Sequence, residues 1–489
     1  MDRSNRPAET VTIHWEGRPI AARAGQDAAS ALYAAGVQVL GRSRKFHRPQ
    51  GLGGVFIAGV KAQVDGLPNR RLDQTPAKPG LSIRMQNTWP NGRLDVLRLA
   101  GLIPRRLLRG GFEHPAWLPG GSRRFQLWES FLRFMAGGAP TDPALTGTAL
   151  AGERRTVDVA IVGGGPAGRK AAIDAAASGA SVLVVSRGRA TAAALGAALP
   201  DLPKGALLLG GWEACGLYRR GTLLLCTPLD GGPAKLIEAK RLILATGRRS
   251  IPPLVSGADL PGVLDLATAI SLLDQKIDLG RAVLIGTGDL AALRETLTGM
   301  GALIMATHPA ASLWRVSGRN RVERAEFEAG SMECDAVVHA GPWRSDPALP
   351  FQATADGEFR LGANALPTHI EIVGSAAAGD EAIVHGPTLD DHAFVCPCMD
   401  VGVGEIRDLV ESGITHVEEL KRLTGCGMGP CQGFPCWDLL AAALAEITGE
   451  AAISFGHPSF RPPRGALSIA QAAGLADLVA PQAEPETAS

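Results

Sequence analysis

The chain has 489 residues, 46% of them apolar and 20% charged, with a formal net charge of +1. That length exceeds a single hydrophobic core and implies several domains, while the balanced charge gives no single-sign field for a nucleic-acid or membrane-surface binder. No apolar run reaches the roughly 18 residues that cross a bilayer. The opening "MDRSNRPAETV" has no apolar export core, so a cytoplasmic protein with reduced thiols is expected.

Residues 1–105 read as a β-grasp domain. Val11, Ile13 and Trp15 alternate, Glu16-Gly17 marks a turn into a second short strand, and Asp27 can cap a helix carrying Ala31, Leu32 and Ala35. The densest basic run of the chain follows, at Arg42, Arg44, Lys45, His47 and Arg48. It reads either as a solvated charged face or as a phosphate contact or docking edge. Residues 106–155, rich in Trp and Pro, read as a connecting arm with one helix.

From Val157 the text changes to strand, glycine loop, helix, strand, which specifies a parallel α/β sheet. Residues 156–277 form the first Rossmann-like domain, with Gly163, Gly165 and Gly168 in G-x-G-x-x-G spacing. The first two glycines make the turn and admit a pyrophosphate, the third lets the helix approach the strand, and the helix N-terminus favours the anion. The strand ending in Ala245-Thr246-Gly247 resembles the return segment of two-dinucleotide flavoproteins of the glutathione-reductase type. Where an acid should close the second strand the chain has Ser186-Arg187, which suits a phosphate or a differently seated adenine nucleotide, or else leaves Arg187 as a solvated residue.

Residues 278–345 form a second, trimmed Rossmann-like domain with Gly286, Gly288 and Ala291. Asp289 sits beside the expected phosphate position, and no acid ends the following strand to take ribose hydroxyls, so NAD is poorly provided for. Residues 346–390 are expected to return to the first nucleotide domain.

Five of the eight cysteines lie in residues 391–455, a small helical domain. Cys396 and Cys398 form C-x-C, and Cys426 and Cys431 form C-x4-C, with glycines at 425, 427, 429 and 433. Thiolates suit zinc or an iron–sulfur cluster, and glycine amides turned towards sulfur favour the cluster. Cys436, at the start of a helix, fits the ligand spacing least well and reads as a buried thiol. Thr415 and Glu418 offer a capping box for "THVEELKRL", with Val417, Leu420 and Leu423 on one face. "CWDLLAAALAEITG" places Leu440, Leu444 and Ile447 on one face and stops at Gly449. Residues 456–489 read as a C-terminal tail whose end, "APQAEPETAS", has a disordered composition. Cys215, Cys226 and Cys334 read as core residues.

Taken together, "CPCMDVGVGEI…ELKRLTGCGMGPCQG" resembles the bacterioferritin-associated-ferredoxin-like [2Fe-2S] domain. "VLGRSRKFHRPQGLGG", "PNRRLDQT" and "QNTWP" resemble the N-terminal region of sarcosine oxidase alpha subunits. The whole order is similar to alpha subunits of hydrogen cyanide synthase, opine dehydrogenases and D-hydroxyproline dehydrogenases. The resemblance implies a two-dinucleotide-binding-domain, glutathione-reductase-like flavoprotein core with an N-terminal β-grasp domain and a C-terminal [2Fe-2S] domain. It implies a cluster on Cys396, Cys398, Cys426 and Cys431, FAD or another adenine nucleotide at Gly163, Gly165 and Gly168, and room for FMN at a subunit interface. It further implies a beta subunit similar to D-amino-acid oxidase, with a small ferredoxin-like gamma subunit in some members.

The sequence departs from that family in four places. No cysteine precedes Cys215, so the β-grasp region holds no plant-type cluster. The acid is missing at Ser186, the stretch between Gly168 and Thr246 is short, and the second unit is similarly trimmed. The resemblance does not extend to a folate-type domain, so tetrahydrofolate chemistry is not expected. No catalytic constellation is found: there is no Ser-His-Asp order, carboxylate pair or placed general base. The expected function is the alpha subunit of a heteromeric amine or amino-acid dehydrogenase or oxidase, passing electrons from a partner's flavin to an acceptor. The competing readings are a standalone NAD(P)H-dependent flavin reductase and a non-catalytic scaffold with empty loops.

Overall fold

The computed structural model describes residues 9–53, 60–102, 123–135, 148–188, 191–354, 366–465 and 467–479. They fall into two compact units. One comprises Met1–Asp142, Arg248–Arg344 and Gly379–Pro458; the other comprises Pro143–Gly247, Ser345–Ala378 and Ser459–Ser489. Among the described residues no helix is long and apolar enough to cross a membrane.

The first unit opens as the alternation requires. β1 (Thr10–Trp15) and β2 (Arg18–Arg23) form an antiparallel hairpin about Glu16-Gly17, both with positive φ. Val11, Ile13 and Trp15 all point inward, onto a core that includes Leu32, Leu72 and Ile83. Full burial of a side chain such as Ile13 contributes about 1.5–3 kcal/mol. α1 (Ala28–Ala34) is capped by Asp27, whose carboxylate accepts from the Ser30 amide at 2.8 Å. β3 (Gly41–Arg42) and β4 (Pro49–Gln50) pair to close the loop that carries the basic run. With β5 (Lys61–Val64), β6 (Leu67–Arg71) and β7 (Ser82–Arg84), the sheet order is β2-β1-β7-β5-β6, with β1 and β7 parallel: a β-grasp arrangement. The connecting arm expected over 106–155 lies mostly outside the described residues. Its helix, α2 (Arg123–Met135), is described and exposes Leu127 and Phe131.

The second unit is built on a seven-stranded sheet. β8 (Glu153–Val162), α3 (Pro166–Ala177) and β9 (Val182–Ser186) form the expected strand, loop, helix and strand. β10 (Leu207–Gly210), β11 (Trp212–Tyr218), β12 (Leu223–Pro228) and β13 (Lys235–Leu244) complete the order β10-β9-β8-β13-β12-β11. Ile370–Ile372 pairs parallel with the end of β13, so the chain does return to this sheet. Cys215 and Cys226 are buried in it.

Domain boundaries differ from the sequence expectation in three places. Val263–Asp265, expected with the first nucleotide domain, pairs with Ala336–Ala340 in the second parallel sheet, because its three buried apolar-flanked positions complete that sheet's edge. Residues 379–390 belong to the first unit rather than to the return segment. Within the expected tail, Ser468 and Gln471 form a capping box on the helix Ile469–Ala473, and Leu475 packs against Cys215, Leu223 and Leu236 of the second unit. The disordered composition falls on 480–489, outside the described residues.

In the first unit, Arg281–Gly286 lies between Leu303–Pro309 and Ala336–Ala340, all parallel, with Val263–Asp265 beyond. Cys334 is buried beside this sheet. The cysteine-bearing part contains the helices Val403–Glu411, Val417–Thr424 and Cys436–Thr448. The capping box at Thr415 does not form. The helix starts one residue later, after His416, and carries Glu418 and Glu419 in its first turn, where they complement the helix dipole. Val417 and Leu420 are buried as expected, whereas Leu423 is exposed. The last helix ends at Gly449 in the left-handed conformation.

Candidate metal centre and nucleotide loops

Two loops bring the thiols together. Phe394–Cys396 pairs antiparallel with Val401–Gly402, so Cys396-Pro397-Cys398-Met399-Asp400 is a tight hairpin, with Asp400 at φ 56°. The helix Val417–Thr424 ends at Gly425, and the chain then winds through Cys426, Gly427 and Cys431 into Cys436–Thr448. The sulfurs of Cys396, Cys398, Cys431 and Cys436 all lie within 4.8 Å of one another, and all four residues are buried. Cys431 Sγ is 3.3 Å from Cys436 Sγ. Cys426 is also buried, with its thiol in hydrogen-bonding reach of Cys396. Cys436, read from spacing as a bystander, therefore stands inside the group. Spacing along the chain could not show this, because the turn at Gln432-Gly433 folds the helix start back onto Cys431.

Burial pushes the Cys396 thiol up, but hydrogen bonds from Cys398, Cys426, Cys431 and Cys436 outweigh it and hold the thiol well below its ordinary value. Its hydrogen bond to Cys396 raises each of Cys426, Cys431 and Cys436 well above that value. Thiols gathered in this way shed protons when a metal binds. The Gly427 amide donates to Cys396 Sγ at 3.4 Å. Gly427 has φ 73°, and a Cβ there would stand 1.8 Å from Trp437 Nε1; that nitrogen donates to Cys426 O at 3.3 Å. The indole thus seals the turn and requires glycine at this position. Asp438, in the same first turn, is buried and accepts from Arg344 Nη2 at 2.6 Å, which anchors the helix carrying Cys436. A soft, dry donor set with a backbone amide aimed at sulfur fits an iron–sulfur cluster.

The basic run is not a solvated face: Arg42, Lys45 and His47 are buried. The loop from Ser43 to Arg48 straps the cysteine hairpin. Asp400, fully buried, accepts from Lys45 N at 2.6 Å, Phe46 N at 3.3 Å and Arg48 Nε at 2.9 Å. Arg48 also donates to Pro397 O at 3.2 Å, lies 3.6 Å over the Phe394 ring and pairs with Asp259. Arg44 Nη1 lies 3.3 Å from Met399 Sδ, and His47 Nε2 is 2.5 Å from Asp95. The sequence held the partner, the Asp of C-P-C-M-D, but nothing in local spacing linked it to a loop over 350 residues away.

At the first glycine loop, Gly163 has φ 115° and a Cβ there would meet Ala245 O at 2.1 Å; one at Gly168 would meet Gly163 O at 1.9 Å. The loop, α3 and the strand end before Thr246-Gly247 are therefore closely packed, with Gly165, which has no side chain to cap the helix, as N-cap. Arg187 Nη1 is 3.8 Å from Glu213, and Ser186 Oγ donates to Gly188 O at 3.1 Å. The second loop is closed by its own acids. Asp289 caps the helix Leu290–Gly299 through Ala291 N and Ala292 N, at 3.0 and 3.1 Å. Glu381 accepts from Thr287 Oγ1 at 2.8 Å and from Trp343 N at 3.1 Å. Carboxylates thus take the donors that a pyrophosphate at Gly286 and Gly288 would use.

Residues 8–88 match the family model of a 2Fe-2S iron-sulfur cluster binding domain, and residues 394–446 that of the BFD-like [2Fe-2S] binding domain. The first stretch has no cysteine, so thiolate ligands reside only in the second. The chain is 26% identical, over 558 aligned positions, to the sarcosine oxidase subunit alpha of Rhizobium meliloti (strain 1021), covering 92% of this chain and 56% of that protein. It thus spans little more than half the length of that relative. It is 31% identical over 78 residues to the hydrogen cyanide synthase subunit HcnA of Pseudomonas aeruginosa, covering 16% of this chain and 75% of that one. Its fold is shared with L-proline dehydrogenase from P. horikoshii, at a TM-score of 0.70 and 20% identity over 95% of this chain and 98% of that one.

Proposed function

Because the chain belongs to the family of sarcosine oxidase alpha and hydrogen cyanide synthase subunits, we propose that it is the electron-transfer alpha subunit of a heteromeric dehydrogenase or oxidase. The complex would be flavin- and [2Fe-2S]-dependent and act on the CH–NH bond of an amine or amino acid. The observation that carries this reading is the buried group of thiols under a glycine amide and an indole lid. A bound [2Fe-2S] cluster supplies one-electron transfer there. The chain's part is to present sulfur and exclude water. Cys396 and Cys398 supply two ligands from the hairpin, Cys426 and Cys431 supply two from the glycine-rich turn, and Cys436 competes for the fourth place from 3.3 Å beside Cys431.

Gly163, Gly165 and Gly168, at the start of α3, would hold the pyrophosphate of FAD or another adenine nucleotide, with Arg187 and Thr246-Gly247 in the same site. Substrate oxidation takes place in a partner, a beta subunit similar to D-amino-acid oxidase. A standalone NAD(P)H reductase is the weaker reading, since Asp289 and Glu381 fill the second loop. The test is to purify the chain with its natural partner and identify every released cofactor. Flavin, iron and labile sulfide are expected, with no NADH-driven dye reduction by the isolated chain. A complex lacking labile sulfide, or brisk NADH oxidation by the chain alone, overturns the proposal.

A further inference from the structure

The loop Arg44–Arg48 belongs to a domain that has no cysteine, yet it packs around the cysteine hairpin. Its charges are unevenly balanced. Arg48 faces Asp400 and Asp259, and Lys45 Nζ lies 3.6 Å from Glu405. That ammonium is buried without a hydrogen-bond partner among the described residues. Arg44, whose Nη1 lies 3.3 Å from Met399 Sδ, faces no carboxylate within 4.0 Å among the described residues. A cation thus stands beside a hairpin whose sulfurs become negative when they bind iron. A cluster of two ferric ions, two sulfides and four thiolates carries net negative charge, and reduction adds more. In a site this dry, nearby cations act with little solvent screening.

We infer that the cysteine-free β-grasp domain is the electrostatic half of the cluster seat: Asp400 and Arg48 fix the hairpin, and Arg44 supplies the positive charge that makes a cluster there easier to reduce. This rests on the [2Fe-2S] reading above. It gives the domain a role despite its lack of ligands. It also makes Arg44 a tuning residue rather than a ligand.

The test compares wild type with Arg44→Met and Arg44→Lys in the purified full chain. Iron and labile sulfide content come first, then the cluster's reduction potential by spectroscopic redox titration. All variants are expected to retain the cluster. Arg44→Met should shift the potential to more negative values, and Arg44→Lys should restore it. Arg48→Met, which frees the hairpin, should hasten iron loss to a chelator by roughly 10–100-fold, the usual effect of removing a group that orients a ligand. An unchanged potential in Arg44→Met with the cluster present overturns the inference and leaves the cluster reading standing. A wild-type chain without iron and sulfide overturns the cluster reading itself, and the inference with it.

Discussion

Removing the Asp400 carboxylate should open the strap. Asp400 is 0% exposed and accepts from two backbone amides and the Arg48 guanidinium. In Asp400→Ala the Lys45 and Phe46 amides lose their acceptor in the interior, and breaking a buried charge pair costs about 3–5 kcal/mol. Alanine at φ 56° adds about 1 kcal/mol of backbone strain, whereas Asp259 still faces Arg48 and brings the cost towards the low end. A net loss of about 3 kcal/mol is roughly a hundredfold in a local opening equilibrium. Asp400→Asn keeps an acceptor and tolerates the left-handed backbone, so its loss should be about 1–2 kcal/mol, close to tenfold. Hydrogen exchange of peptides spanning residues 43–50 reads this directly. The expected order of protection is wild type, then Asn, then Ala. Wild-type protection in Asp400→Ala would refute the claim that this carboxylate holds the strap.

Three further outcomes follow from the same geometry. Gly427→Ala places a methyl where Trp437 Nε1 now sits, in a backbone conformation that disfavours alanine; about 2–4 kcal/mol should be lost, with a shifted Trp emission. His339 is fully buried and, through that burial, titrates at about 4. Its folded pKa lies below the unfolded value, so its stabilising effect is complete above about 6.5 and fades as pH falls towards 4, by about 3 kcal/mol. Subtracting the pH–stability curve of His339→Leu from that of wild type should show this slope, and a flat difference would contradict the assignment. Among the cysteines, Cys396→Ser and Cys398→Ser should abolish visible cluster absorption. Comparing Cys426→Ser with Cys436→Ser decides the fourth sulfur: the variant that keeps its spectrum is not the ligand.

Patterns carried by neighbours in the chain were legible in the sequence. The alternation of Val11, Ile13 and Trp15 built the hairpin, Asp27 capped its helix, and the spacing of Gly163 and Gly168 marked contacts too close for a Cβ. Cys396, Cys398 and Cys431 were legible as soft donors from residue type, and they stand together, but with Cys436 rather than Cys426 as the fourth member of the group. What the sequence did not reveal depends on long-range pairing. The basic run looked like surface because five basic residues in seven rarely find buried partners, and its partner Asp400 lies far along the chain. Cys436 looked superfluous because a turn, not the spacing, returns it to Cys431. The capping box at Thr415 failed by one residue, since local pattern fixes a helix start less tightly than packing of Val417 and Leu420 does. The segment 467–479 was read as tail because its few apolar residues gave no sign of the groove that receives Leu475.

The most direct test of the central claim is elemental and spectroscopic analysis of the purified, anaerobically handled chain. Two iron and two labile sulfide per chain are expected, with visible charge-transfer bands that bleach on reduction. Stoichiometric zinc without sulfide, or a colourless chain with eight titratable thiols and no metal, would contradict the account.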